Sequence, residues 1–211
     1  IATSRLNYDL LNGKVVNCPH YLLEPASTNL ITYSEDFSQW TAVNNVVVTD
    51  NFTTSPDGSL NAAKLVFDGT ASGRIEIQAG VGGITTQSVY LKTESGTQNV
   101  SIGGGAGGTT EFTITDQWVR YTHTGGGNNP RILCNDAATI YVYGAQLEQL
   151  TYATSYIPTN GQSGGVTRAA ETANGSGNAA TFNDSEGVLM AEISALDNDS
   201  TSRQISLSSG S

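Results

Sequence analysis

Alternation with a period of two, in short repeated bursts, constrains this chain more than any other feature. Arg74-Ile75-Glu76-Ile77-Gln78 sets two isoleucines against charged and polar neighbours. Ala63, Leu65 and Phe67 share one face of another run, and Val89 and Leu91 stand against Ser88, Tyr90 and Lys92. Val100 with Ile102, then Phe112 with Ile114, repeat the pattern. Successive side chains of a strand point to opposite faces, so each run buries one face and wets the other. Turn chemistry separates the runs. In Ser55-Pro56-Asp57-Gly58 the proline presets φ and the glycine supplies a positive φ. No stretch shows a helix-length amphipathic pattern. About nine or ten short strands at near-regular spacing imply an all-β chain built as an antiparallel β-sandwich.

Composition narrows the function classes. The chain has 24 glycines in 211 residues and only 13% charged residues, a mix that disfavours helices and charge-driven disorder. A net charge of −10 repels DNA, RNA and anionic membrane surfaces, so no nucleic-acid partner is expected. No apolar run is long enough to span a bilayer, so no membrane insertion is expected either. Neutral glycans remain open, because stacking and hydrogen bonds hold them rather than charge. Cys18 and Cys134 are far apart and read as thiols rather than as a bridge. Without a Cys-x-x-Cys or Cys/His cluster, a structural zinc site is not expected.

Four regions follow from the order of these signals. Residues 1–24 read as an extended N-terminal arm. It is either an ordinary strand and loop or a docking arm that contacts a neighbouring subunit through Tyr8, Leu10, Leu11 and Tyr21. Residues 25–160 hold the sandwich. Its last strand contains Ile140-Tyr141-Val142-Tyr143, and the chain is expected to leave the sheet through Gln146-Leu147-Glu148 and stop at Pro158. Residues 161–186 have linker composition. Residues 187–211 read as the opening of a second β element, with Gly187–Ile193 and Arg203–Leu207 as a hairpin too small to hold a core alone. The start at Ile1 rather than Met reads as a fragment or a processed product, and the stop at Ser211 just after the strand-like Arg203–Leu207 leads us to expect that more chain follows.

Several motifs fail on context. Gly103, Gly105 and Gly108 match G-x-G-x-x-G, but a strand rather than a helix follows. Gly161-Gln162-Ser163-Gly164-Gly165 matches a nucleophile elbow, yet His20 and His123 both come earlier in the chain. Glu76, Glu94, Glu111 and Glu148 are candidates for paired glycosidase carboxylates, but a solvated outer face explains each. Asp197-Asn198-Asp199 has the oxygens for calcium and reads more simply as a hairpin turn. Aromatics carry more information. Trp40, Tyr90, Trp118, Tyr121, Tyr141 and Tyr143 fall on strands expected to be neighbours. A ring on a sheet face can stack on a sugar while its polar tip stays wet. Trp40, Tyr90, Trp118 and Tyr121 are therefore the candidate glycan-binding set, with core capping as the alternative for both tryptophans. No catalytic residue is assigned.

Asn29-Leu30-Ile31 with Phe37 and Trp40 resembles the opening of jelly-roll carbohydrate-binding modules. Gln87–Lys92 and Asp116–Tyr121 are similar to their central strands, and Gly144–Glu148 with Ala153–Pro158 to their closing strand and tail. Leu22-Leu23-Glu24-Pro25 with Thr28-Asn29-Leu30 resembles modules of bacteriophage tail and head fibre proteins, and Gly187–Ile193 the first strand of a concanavalin-like lectin domain. The resemblance covers residues 22–160. It implies a jelly roll in a non-catalytic virion fibre or spike component that attaches to host surface polysaccharide. It further implies a homotrimer with other virion proteins as partners and an extracellular particle as its location. No cofactor is implied, although a structural calcium often accompanies the family. The other readings are a purely structural or decoration protein and an accessory module of a secreted polysaccharide-degrading enzyme.

Overall fold

The computed structural model describes residues 23–172 in full and, before them, only the backbone of short strands. Thirteen strands in the described region are labelled here in chain order. They are β1 (Ser27–Asn29), β2 (Thr41–Val43), β3 (Val47–Thr53), β4 (Ala62–Asp68), β5 (Gly73–Glu76), β6 (Ile84–Thr93), β7 (Thr97–Gly103), β8 (Thr109–Thr115), β9 (Val119–Gly126), β10 (Arg131–Cys134), β11 (Ala137–Glu148), β12 (Val166–Arg168) and β13 (Glu171–Thr172).

Ten of them form two five-stranded sheets. Sheet I has the order β8-β7-β10-β5-β2, and sheet II the order β9-β6-β11-β4-β3. The neighbouring pairs are antiparallel. The chain changes sheet at β2–β3, β4–β5, β5–β6, β6–β7, β8–β9, β9–β10 and β10–β11, which is jelly-roll winding. Inward positions are the expected ones: Leu65, Ile75, Val89, Leu91, Ile102, Ile114, Ile132 and Val142 are all fully buried between the layers. Phe37, in a short 3-10 turn, and Trp40 close one end of this core. Cys134 is a buried free thiol whose pKa burial pushes up.

β11 runs further than its sequence suggests. It stays paired through Glu148, which lies opposite Thr86, instead of leaving the sheet at Gln146. A register slip between Ser88 and Tyr90 makes this extension useful. Gly144 sits at the slip with a φ of 61°, and a Cβ there would come within 3.4 Å of the Tyr90 and Tyr156 rings. Past the bulge Ala145 and Leu147 enter the core, while Gln146 and Glu148 face the other way.

Both are nonetheless completely buried, because the tail Thr151–Thr159 lies over them. Glu148 accepts hydrogen bonds from the Ser27 and Thr154 hydroxyls and the Thr154 amide. Gln146 accepts from the Ile157 amide at 2.7 Å. Asn29, also fully buried, donates to the Ala145 and Ile157 carbonyls and accepts from the Ile31 and Leu147 amides. Buried polar groups are tolerated only when paired in this way. The polar stretches around Asn29 and Gln146–Pro158 thus act as stitching between an early strand, the last sheet strand and the tail.

The chain divides into Ile1–Asn174 and Gly175–Ser211, and the second unit lies outside the described residues. The hairpin expected at 187–211 and the Asp197–Asp199 turn lie there too. Composition places 161–186 in a linker. Val166–Arg168 instead pairs with Ser27–Asn29, and Arg168 bridges to Glu24 at 3.0 Å. In the arm, Arg5–Asn7 pairs with His20–Leu22, Leu10–Leu11 with Lys14–Val15, and Ala2–Thr3 with β13. Tyr8 lies outside the described residues, and for Leu10, Leu11 and Tyr21 only backbone pairing is described.

Candidate functional site

The two sheets differ most in what their outer faces carry. On sheet II, cross-strand pairing puts Lys64 opposite Tyr141 and Tyr141 opposite Lys92. In the neighbouring row Tyr143 faces Tyr90, and Tyr90 faces Arg120. These are outward positions because their chain neighbours Ala63, Leu65, Val89, Leu91 and Val142 point into the core. The alternation that buries one set of residues therefore collects rings and cations on the opposite side.

β3 adds the next ring. Its pairing with β4 slips between Thr49 and Thr53, and Asn51 takes a φ of 52°. Residues freed from the ladder lean over the sheet, so that Phe52 stacks on Tyr141 with centroids 6.0 Å apart and planes 12° apart. The Thr54 carbonyl accepts the Trp118 indole N–H at 3.2 Å. Lys64 Nζ sits 3.8 Å over the Phe52 ring, and Lys92 Nζ lies 5.1 Å from the Trp118 ring and 5.4 Å from that of Tyr141. The result is a row of alternating rings and ammonium groups across the sheet. Phe52 is 44% exposed, whereas Trp118 and Tyr90 are half-buried.

The second row is more enclosed. The Tyr143 and Tyr90 rings are 5.9 Å apart, and Tyr156 from the tail meets Tyr143 edge-on at 5.4 Å. Tyr143 donates to Asp57 at 2.8 Å, and Tyr156 donates to Glu35 at 2.9 Å. Burial, then these carboxylates, hold both phenols well above their ordinary pKa. Asp57 is held far below the usual carboxylate range, first by the Ser55 hydroxyl, then by the Ser59 amide and Tyr143. Arg120 lies 5.6 Å over Tyr90 and donates to the Thr154 carbonyl and Ser88 hydroxyl, each at 2.7 Å. Burial lowers its pKa.

Two of the four candidate glycan residues are therefore brought together and two are not. Tyr90 and Trp118 share the outer face of sheet II. Trp40 is corrected to a core residue: it is 4% exposed, its ring is 5.3 Å from Phe37, and its indole donates to the Tyr33 carbonyl at 2.9 Å. No ring face remains for a sugar. Tyr121 follows Arg120 by one residue and so points to the opposite side, where it packs on Phe112 with centroids 5.0 Å apart. It closes the edge of the core between β8 and β9. Phe52, Lys64, Lys92 and Tyr141 complete the row. Alternation marks three of them as outward, but the slip that delivers Phe52 leaves no signal beyond an asparagine.

The candidate glycosidase carboxylates do not converge. Glu76 binds Arg74 and Arg131 on sheet I, Glu148 lies under the tail, and Glu94 and Glu111 are exposed at other positions. A cleft of about 490 Å³ opens elsewhere, lined by Glu35, Asp36, Asp50, Asn51, Asn160 and Gln162 among others. Asp50 there accepts the Phe37 and Ser38 amides, and burial raises its pKa. Among the described residues no three His, Cys, Asp or Glu side chains group in a metal-holding arrangement. Gly103–Gly108 is the β7–β8 connection, in an antiparallel pair rather than a nucleotide loop.

No protein-family model matches the sequence, and no curated protein matches it. Solved structures similar to it include the CBM22-1–CBM22-2 tandem domain of Paenibacillus barcinonensis Xyn10C, at 19% identity and a TM-score of 0.46, over 63% of this chain and 48% of that one. A family 11 carbohydrate-binding module from Clostridium thermocellum, in complex with a β-1,3-1,4-mixed-linked tetrasaccharide, is 10% identical with a TM-score of 0.42, over 66% of this chain and 99% of that one. The enzymatically active domain of bacteriophage CBA120 tailspike protein 4 is 15% identical with a TM-score of 0.40, over 57% of this chain and 21% of that one. The chain thus spans less than half the length of the tandem domain and of the tailspike domain. The two-layer architecture follows from strand order and register, independently of these likenesses.

Proposed function

We propose that this chain is a non-catalytic glycan-binding module whose ligand lies on the outer face of sheet II. The observation that carries the reading is the concentration of half-exposed and exposed rings, Trp118, Tyr90 and Phe52, on one sheet face with polar partners beside them. Flat rings on a rigid sheet offer stacking surface at low entropic cost, and neighbouring donors and acceptors fix orientation. The setting we propose is a bacteriophage fibre or spike, where the module holds the particle to host surface polysaccharide and assembles as a trimer. The sequence resemblance supports that setting. An accessory module of a secreted polysaccharide-degrading enzyme needs the same ring face, and is the second reading.

Glycan-array binding of the chain tests the function. Binding that drops at least about tenfold in Trp118→Ala and in Tyr90→Ala supports it, a loss in the range expected for a stacked ring. An array without signal, or binding indifferent to both substitutions, contradicts it. Light scattering tests the trimer, and the identity of the neighbouring genes separates fibre from enzyme.

A further inference from the structure

The cations of the described region sort by face. Arg74 and Arg131 share Glu76 on sheet I, and Arg168 pairs with Glu24 beside the tail. Lys64, Lys92 and Arg120 have no ion-pair partner among the described residues, and all three lie on the outer face of sheet II. Arg120 is committed to the tail through Thr154 and to Ser88. The two lysines are not. Each is held over rings, Lys64 over Phe52 and Lys92 between Trp118 and Tyr141. Their strands are two interstrand steps apart, roughly 10 Å, with Tyr141 between them.

A chain with a net charge of −10 has carboxylates enough to pair every cation, so two free ammonium groups in one ring row stand out. Glu94 accepts the Tyr141 hydroxyl at 3.4 Å and makes no ion pair with either lysine. We infer that the row Phe52–Lys64–Tyr141–Lys92–Trp118 selects acidic sugars: polysaccharides whose pyranose rings carry carboxylates, the uronate class. This rests on the glycan-binding reading and names its ligand class. A uronate presents an apolar ring face and an equatorial carboxylate at the ring edge. Stacking on Phe52 or Trp118 then brings the carboxylate to an ammonium group already placed beside the ring. The acidic bulk of the protein does not forbid this. At physiological salt the Debye length is about 8 Å, so distant charges are screened while contact pairs are not.

The test measures affinity of the full 211-residue chain for uronate oligosaccharides (oligogalacturonate, oligomannuronate), for neutral oligosaccharides (β-1,4-galactan, xylan) and for a sulfated galactan. It is repeated on Lys64→Met/Lys92→Met, which keeps an unbranched apolar stem and removes the ammonium group and its charge, and on Lys64→Arg/Lys92→Arg. Circular dichroism and melting curves check that both variants keep the fold. The expected result is uronate binding about tenfold tighter than neutral binding, lost in the methionine pair and kept in the arginine pair, in line with charge-assisted hydrogen bonds. Neutral ligands that bind as well as uronates, unaffected by the methionine pair, overturn the inference and leave the glycan-binding reading standing. A sulfated galactan that binds as tightly as the uronates also overturns it, since the row then reads charge and not carboxylate. No binding to any of these ligands overturns both.

Discussion

The outer faces of the two sheets are built by the same alternation and come out opposite in character. On sheet I the outward residues include Arg74, Glu76, Asn99, Glu111, Thr113 and Arg131, with both arginines paired to Glu76 and no ring among them. On sheet II they are Lys64, Tyr90, Lys92, Arg120, Tyr141 and Tyr143, with rings in contact and charges unpaired. On sheet I Asn99, Glu111 and Thr113 are exposed, whereas sheet II is partly roofed by the Phe52–Thr54 segment and by the tail. The inward residues alone account for the sandwich, since both faces stand on equally buried cores. What a jelly roll binds is therefore written in the outward half of each alternating run, which folding leaves free.

The largest effect that would break this comparison is a loss of the tail. Glu148→Ala removes the acceptor of three buried hydrogen bonds and should cost about 3 kcal/mol in urea denaturation. Glu76→Ala, on the half-exposed ion pairs of sheet I, should cost about 1 kcal/mol or less. Equal costs would mean that the tail is not stitched down as described. Next in size, Gly144→Ala should lose about 1–2 kcal/mol, because its φ of 61° and the flanking rings resist a Cβ. It should also weaken ligand binding by displacing Tyr90, whereas an unaltered melting curve would place no demand on that bulge.

Trp118→Ala and Leu133→Ala sharpen the contrast between faces. The first should abolish measurable glycan binding at a folding cost of about 1–2 kcal/mol, and the second, on sheet I, should leave binding unchanged. The smallest effect concerns His123, in the layer between the faces and bonded through Nδ1 to the Thr110 hydroxyl at 2.9 Å. Burial lowers its pKa below 6.5. The unfolded chain then binds the proton first, so stability should fall as pH drops from about 6.5 through the folded pKa and be level above. His123→Gln should flatten that slope in melting temperature against pH.

Much of the fold was legible in sequence because period-two burial is a local signal. Ala63-Leu65-Phe67, Ile75 and Val89-Leu91 all took the predicted side. The site was less legible. Trp40 and Tyr121 are aromatic like Tyr90 and Trp118, and only tertiary packing decides which rings a core consumes. Tyr121 was in fact decidable, since it is one residue from an outward arginine. Phe52 was not, because its position depends on a register slip with three residues between matched pairs. The Gln146–Pro158 segment reads as an exit because it is polar, and its polarity turns out to serve buried hydrogen bonds that only the folded tail reveals.

The chain has two tryptophans, one on the ring face and one in the core, so each indole N–H signal in a nitrogen–proton NMR spectrum reports one location. Titration with the uronate and neutral oligosaccharides should move the Trp118 indole signal to saturation and leave that of Trp40 in place. Saturable binding that leaves Trp118 unmoved, or that shifts residues lining the Glu35–Asp50 cleft instead, would contradict a ligand site on sheet II.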